Sequence, residues 1–321
     1  MSTQDYPNPP FDSAASLPDL YEMLDQVRMK NGWAKPTPSL YPEPKRRYIP
    51  AHWQYQHARA ALHRAGALVD PRWAERRNLI MANPVPGNDY PTITTIVGAY
   101  QMVKRKEIAR SHRHTPNAMR IVLEAGARTY TVVDGVKVPM EPGDVLLTPN
   151  WCYHGHNNES DQDAYWIDFL DAPLVQFLDP MFFEHSDEPP ETVCTVEVAS
   201  PMRFAYTEYR PRLLQQPSSD LGVRELHLGP PELVTFDRTA LHLAASSRWS
   251  RPRTTISRIY TVLEGSGRCS FADREVRWSH GDMIAVPNWH EHTLVCETDS
   301  ILIQVSDEPL LRMLGWLRHQ N

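Results

Sequence analysis

Three histidines and one arginine are the residues of this chain best placed to do chemistry: His112, His114, His154 and Arg120. Residues two apart on a strand point to the same face. His112 and His114 therefore aim together, and so do His154 and His156 on a later strand. Where two such strands lie side by side in a small barrel, three imidazoles converge into a metal site. Imidazole ligands suit iron, zinc, copper or nickel. Arg120 is permanently protonated and cannot bind a cation itself. Glu124 lies further on and would need a different register to add a carboxylate. Three neutral ligands leave a dication's charge uncancelled, which favours an anionic, chelating substrate. Arg120 beside the metal offers a bidentate clamp for a carboxylate; its plainer use is an ion pair at the barrel mouth. The plainer use of His156 is that of a satisfied barrel histidine.

The frame around these residues occurs twice. Arg120, Gly143-Asp144, Pro149-Asn150-Trp151 and His154 recur 138 residues later as Arg258, Gly281-Asp282, Pro287-Asn288-Trp289 and His292. The same shift takes His112 to Ser250 and His114 to Pro252. One module is thus armed with metal ligands and its copy is disarmed. A lone His292 does not make a site, so the second module reads as scaffold and oligomer surface.

The elements that must position these residues are mostly short strands. The start of the chain, to about residue 15, is polar and proline-rich. A helix is predicted from Pro18 to Asn31, with Leu20, Met23, Leu24 and Val27 as its apolar stripe and Gly32 as its stop. Five prolines between Lys35 and Pro50 predict an extended segment. A second helix is predicted from Ala51 to Leu68, then a strand from Thr92 to Val103. Closely spaced strands and turns follow to Phe183, and again from Leu233 to Ser306. The reading is a mainly β protein: two small antiparallel β-barrels, each a double-stranded β-helix, with N-terminal helical segments. Its parts are an arm (1–91), a barrel with the metal site (92–184), a linker (185–232) and a degenerate barrel with a C-terminal helix (233–321).

Composition narrows the function classes. A chain of 321 residues with 41% apolar and 22% charged residues suits a soluble globular protein. A net charge of -6 argues against nucleic acid as partner. No apolar run reaches bilayer length and no signal peptide opens the chain, so no membrane partner and a cytoplasmic location are expected. Cys152, Cys194, Cys269 and Cys296 form no CxxC pair and read as reduced thiols. Cys152, two residues before His154, reads as a small buried thiol rather than a ligand.

The motifs resemble the cupin superfamily, in which a glutamate usually follows the HxH pair as a fourth ligand; here Arg120 occupies that region. The words Ser111-His112-Arg113-His114, Thr148-Pro149-Asn150-Trp151 with His154-Gly155-His156, and Trp166-Ile167-Asp168-Phe169-Leu170 are similar to those of the gentisate, salicylate and 1-hydroxy-2-naphthoate dioxygenases. The resemblance implies a bicupin homotetramer with Fe(II) held by His112, His114 and His154. It implies substrate contacts from Gln101, Arg120 and His156, with Asp168 and Arg76 nearby. Gln101 could instead face the surface, Asp168 could orient a neighbour, and Arg77 could stand for Arg76. The implied reaction uses O2 to break the ring between the carboxyl-bearing and ortho-hydroxyl-bearing carbons of an aromatic acid. Gly155, Asn157 and Phe169 depart from the family's usual residues and leave gentisate and substituted salicylates both open as substrates. Phe169 should point away from Asp168 by strand alternation. A cupin enzyme with a non-aromatic substrate and a non-catalytic ligand-binding bicupin are the competing readings.

Overall fold

The computed structural model describes residues 7–69, 77–186, 193–230 and 232–320. Residues up to Lys45 form one unit and those from Arg46 a second. In the first unit, helix Leu17–Gln26 is capped by the Ser16 side chain, which accepts from the backbone N–H of Asp19. It stops short of the expected Asn31. Val27 and Arg28 turn back onto Leu24 and Asp25, and Arg28 takes a left-handed φ of 59°. No helix among the described residues is long and apolar enough to cross a membrane.

The second unit contains four antiparallel-dominated sheets, two for each module. In the first module, Val97–Val103, Ala164–Leu170, Ala118–Glu124 and Val145–Thr148 lie side by side in one sheet. The facing sheet carries Glu107–His114, His154–Asn158, Thr129–Val133 and Val136–Pro139. The second module repeats this plan with Asp237–Leu243, Ser300–Ser306, Arg258–Glu264 and Met283–Val286, faced by Arg248–Arg251, His292–Cys296, Gly267–Ser270 and Glu275–Trp278.

Central strands here bury both faces. One face of Ala164–Leu170 points Tyr165, Ile167 and Phe169 into a core shared with Ile259, Met283 and Ile303 of the other module. Phe169 thus lies outside the first barrel's interior, as alternation predicts. The other face sends Trp166 inward, where it packs with Val122, Val138 and Leu146.

The segments before each barrel are exchanged. Ala51–Trp53, expected as helix, is a strand on Met283–Val286 of the second module; helix Tyr55–Leu68 begins only after it. Arg203–Phe204 pairs reciprocally with Val145–Thr148 of the first module, and helix Tyr206–Leu214 follows. The two Gly-Asp turns receive these helices. Asp282 accepts from Tyr55 N at 2.8 Å, and Asp144 from Tyr206 N at 2.9 Å. Gly281 and Gly143 have φ of 79° and 87°. A Cβ at either would come within 2.4 Å and 2.5 Å of the Tyr55 and Tyr206 rings. The span 185–232, expected as a linker, therefore supplies strands and a helix to both modules. It looked like a linker because its strands are two to five residues long.

Candidate metal centre

A β-bulge places the first module's histidines. Along Glu107–His114 the register starts with Glu107 opposite Asn158, Ile108 opposite Asn157 and Ala109 opposite His156. Continued unbroken, it would bring Ser111 opposite His154 and turn His112 and His114 outward. The register shifts between Ala109 and His112, so His112 pairs with His154 and the HxH pair faces inward. Gly155 lies across from the bulge. A Cβ there would stand 3.1 Å from the Ala109 carbonyl and 3.3 Å from Ser111 Cα. Gly155 thus sits where a side chain would press on the bulged backbone.

His112, His114 and His154 are buried, and their donor atoms lie within 4.8 Å of one another. The ring centroids are 4.5 Å apart for His112 and His154 and 4.8 Å for His114 and His154. His114 Nδ1 sits 2.8 Å from the Pro116 carbonyl, and His154 Nδ1 sits 3.0 Å from the Cys152 carbonyl. A carbonyl oxygen only accepts, so each ring donates its Nδ1–H and keeps its lone pair on Nε2. Neutral imidazoles with fixed tautomers fit a divalent transition metal. Among the described residues no carboxylate or thiol joins the three. Cys152 is half-buried rather than buried and contributes its carbonyl. Glu124 is spent elsewhere: it accepts from Tyr55 Oη at 2.7 Å and Arg59 Nε at 2.6 Å.

Arg120 is 1% exposed, directly across the ladder from Asp168. Its Nε donates to Asp168 Oδ1 at 3.2 Å and its Nη1 to Thr131 Oγ1 at 3.3 Å. Nη1 also lies 2.7 Å from His156 Nδ1. The guanidinium thus touches one carboxylate, and an imidazole can accept from it only when neutral at that nitrogen. Thr131 was not foreseen, although its alternation within Thr129–Val133 would have pointed it inward.

A cavity of about 600 Å3 opens onto this group. Its polar wall includes the three histidines, Arg120, Asp168 and Gln101. Gln101 is buried, with its Oε1 unpartnered among the described residues, rather than surface-facing. His156 does not line the cavity; it lies behind Arg120, its ring 5.3 Å from that of Trp166. Arg76 lies outside the described residues. Arg77 lines the cavity and donates to Glu107 and the Val69 carbonyl. Leu79, Val97 and Leu170 supply apolar wall, and Phe183 packs 5.0 Å from the His112 ring. Helix Tyr55–Leu68 lends Ala65 to the wall. No motif marked these residues, because wall positions need only shape and apolarity.

Comparison with known proteins bears on this geometry. The Cupin domain family model matches residues 99–170. The chain is 32% identical over 346 residues to a 5-aminosalicylate 1,2-dioxygenase of a Comamonas species, covering 98% of this chain and 92% of the relative. It is 32% identical to a gentisate 1,2-dioxygenase of a Streptomyces species, covering 94% of each. The salicylate 1,2-dioxygenase of Pseudoaminobacter salicylatoxidans, solved as adducts with gentisate, superposes with a TM-score of 0.84 at 28% identity, over 96% of this chain and 94% of that one.

Proposed function

Because the chain belongs to the gentisate and salicylate 1,2-dioxygenase family of bicupins, we propose that it is an Fe(II)-dependent ring-cleaving dioxygenase of hydroxylated aromatic acids. The bond broken lies between the carboxyl-bearing and ortho-hydroxyl-bearing ring carbons, and both atoms of O2 enter the product. One observation carries this reading: three clustered histidines, His114 and His154 with tautomers fixed by backbone carbonyls, and a buried arginine share one cavity of aromatic-acid size.

His112, His114 and His154 would hold the iron. Bound Fe(II) supplies the redox chemistry that reaction with O2 requires and that zinc lacks. The protein's own residues do the rest. Arg120 receives the substrate carboxylate, and its burial strengthens that ion pair. Asp168 and Thr131 hold the guanidinium in plane. His156, against Arg120, acts as a positioning residue in this reading. Gln101 Oε1 accepts from a ring hydroxyl or amino group. Leu79, Val97, Leu170 and Phe183 sandwich the ring and exclude water from it.

The test is oxygen uptake. Protein loaded anaerobically with Fe(II) is mixed with gentisate, 5-aminosalicylate, salicylate and 1-hydroxy-2-naphthoate, and O2 is then admitted. The reading requires stoichiometric O2 consumption with at least one of them, and none with benzoate. No consumption with any of the four would refute it.

A further inference from the structure

Helix Tyr55–Leu68 starts on the second barrel and ends on the cavity of the first. At its start, Gln54 gives no side-chain cap among the described residues. The carboxylate that serves instead comes from the other module. Buried Asp282 accepts from Tyr55 N through Oδ1 at 2.8 Å. Its Oδ2 lies 3.0 Å from His52 Nε2 and accepts from Ser279 N at 3.1 Å. A carboxylate there meets both the unpaired N–H groups of a helix start and the positive end of its dipole.

The helix has 14 residues, which carry it about 20 Å from that anchor. Tyr55, Ala58, Leu62 and Gly66 form its buried face. Gly66 lies so close to strand Val97–Val103 that a Cβ would stand 2.5 Å from Met102 Cε. Beside it, Ala65 and Val69 line the cavity that also holds the three histidines and Arg120. The Val69 carbonyl accepts from Arg77 Nη2 at 2.9 Å, which ties the helix end to the edge strand Arg77–Ile80.

The cavity runs along the sheet toward this helix. The strands carrying Arg120, Asp168, Gln101 and Asn78 are successive neighbours, and all four residues line it. Three strand spacings put the Asn78 strand about 14 Å from the Arg120 strand. An aromatic acid whose carboxylate is held by Arg120 at one end of this row extends its ring toward the other. Ala65 belongs to the wall at that far end, on an element outside the sheet, and its side chain is a single methyl group. A larger side chain at 65 would take the space into which a second ring projects.

We propose that Ala65 sets the largest ring system the first barrel admits, and that Asp282 of the second barrel fixes where Ala65 stands. The inference rests on the aromatic-acid reading above. It gives the disarmed module a part in substrate selection, as a positioning element.

Salicylate and 1-hydroxy-2-naphthoate are the probes, one ring against two. Their binding to the full-length, Fe(II)-loaded protein is measured by titration calorimetry without O2, so that turnover plays no part. The wild type should bind both. Ala65→Leu should raise the Kd of the two-ring acid relative to that of salicylate by at least about tenfold. In an Asp282→Ala background the helix can give way, and the same change should cost less than about threefold. Where Asp282→Ala fails to fold, Asp282→Asn takes its place, and the cost should fall at least about twofold. An unchanged ratio in Ala65→Leu, a cost that persists in the Asp282 background, or a wild type that binds only one of the two acids would each overturn the inference and leave the aromatic-acid reading standing. A wild type that binds neither acid would overturn both.

Discussion

Opposite the histidine that follows each Pro-Asn-Trp turn, the first barrel carries His112 and the second carries Arg251. Further in, the first barrel sets Thr131 against His156 and Arg120 against Asp168. At the same ladder positions the second sets Cys269 against Leu294 and Arg258 against Ser306. Trp249, Tyr260, Trp278 and Leu294 then fill that interior as an apolar core. Yet the turns agree closely: Trp151 and Trp289 take left-handed φ of 64° and 62°. The frame is kept by turn residues and by the exchanged helices that dock on them. Chemistry depends on a handful of inward positions and on one bulge. That separation lets one frame carry a three-histidine cluster in one copy and an apolar core in the other.

The largest effect should come from the ligands. His154→Ala should empty the first barrel of metal and reduce turnover to background. His292→Ala should leave metal content at the wild-type value. Mass-spectrometric metal analysis of both variants checks this, and metal loss in His292→Ala would erase the contrast between the barrels. Next comes the arginine pair. Arg120→Met should lower kcat/KM by about 100-fold, the loss of a charge-assisted contact worth about 3 kcal/mol. Asp168→Asn, which loosens that arginine, should cost about tenfold. Ser306→Ala, at the matching place in the second barrel, should leave kcat/KM unchanged.

The exchanged helices predict a smaller, matched pair of effects. Tyr55 Oη donates to Glu124 and Tyr206 Oη to Glu264, each tying a helix to the barrel it precedes across a bridge. Tyr55→Phe and Tyr206→Phe should each lower stability by about 1–2 kcal/mol in urea unfolding. A large cost from one and none from the other would break the internal two-fold relation. A pH-dependent effect concerns Asp307, which accepts from Ser257 N and Thr95 Oγ1, as Asp171 accepts from Asn117 N and Thr235. Burial raises Asp307 from 3.8 to about 6. The folded state therefore binds the proton more tightly than the unfolded state. Its contribution is greatest below about pH 4 and is lost as pH rises through about 6. Asp307→Asn should flatten the stability profile in that window; an unaltered slope would remove Asp307 from the account.

The three-histidine cluster was legible because strand alternation aims an HxH pair one way. The bulge that makes alternation work was hidden, since Ala109-Arg110-Ser111 carries no turn residue. A constant offset of 138 takes His112 to Ser250, whereas the ladder sets Arg251 opposite His292, because the stretch leading to Arg258 is one residue shorter than that leading to Arg120. His156 was legible as an inward residue but not as a neighbour of Arg120 behind the cavity wall. The strand Ala51–Trp53 was read as helix because three residues show no period, and a distant sheet edge decides their conformation. Glu124 was read only as a carboxylate out of register with the metal site, and Glu264 carried no reading. Their partners, Arg59 and Arg210, are far away in sequence and become visible only once the helices are seen to cross.

The central claim is that one barrel of the two holds a redox metal. Iron bound per chain, measured after anaerobic Fe(II) loading and removal of excess, tests it most directly. The account predicts one iron per chain, none in His154→Ala, and O2 uptake with aromatic acid proportional to iron content. Two irons per chain, or iron retained in His154→Ala, would contradict it.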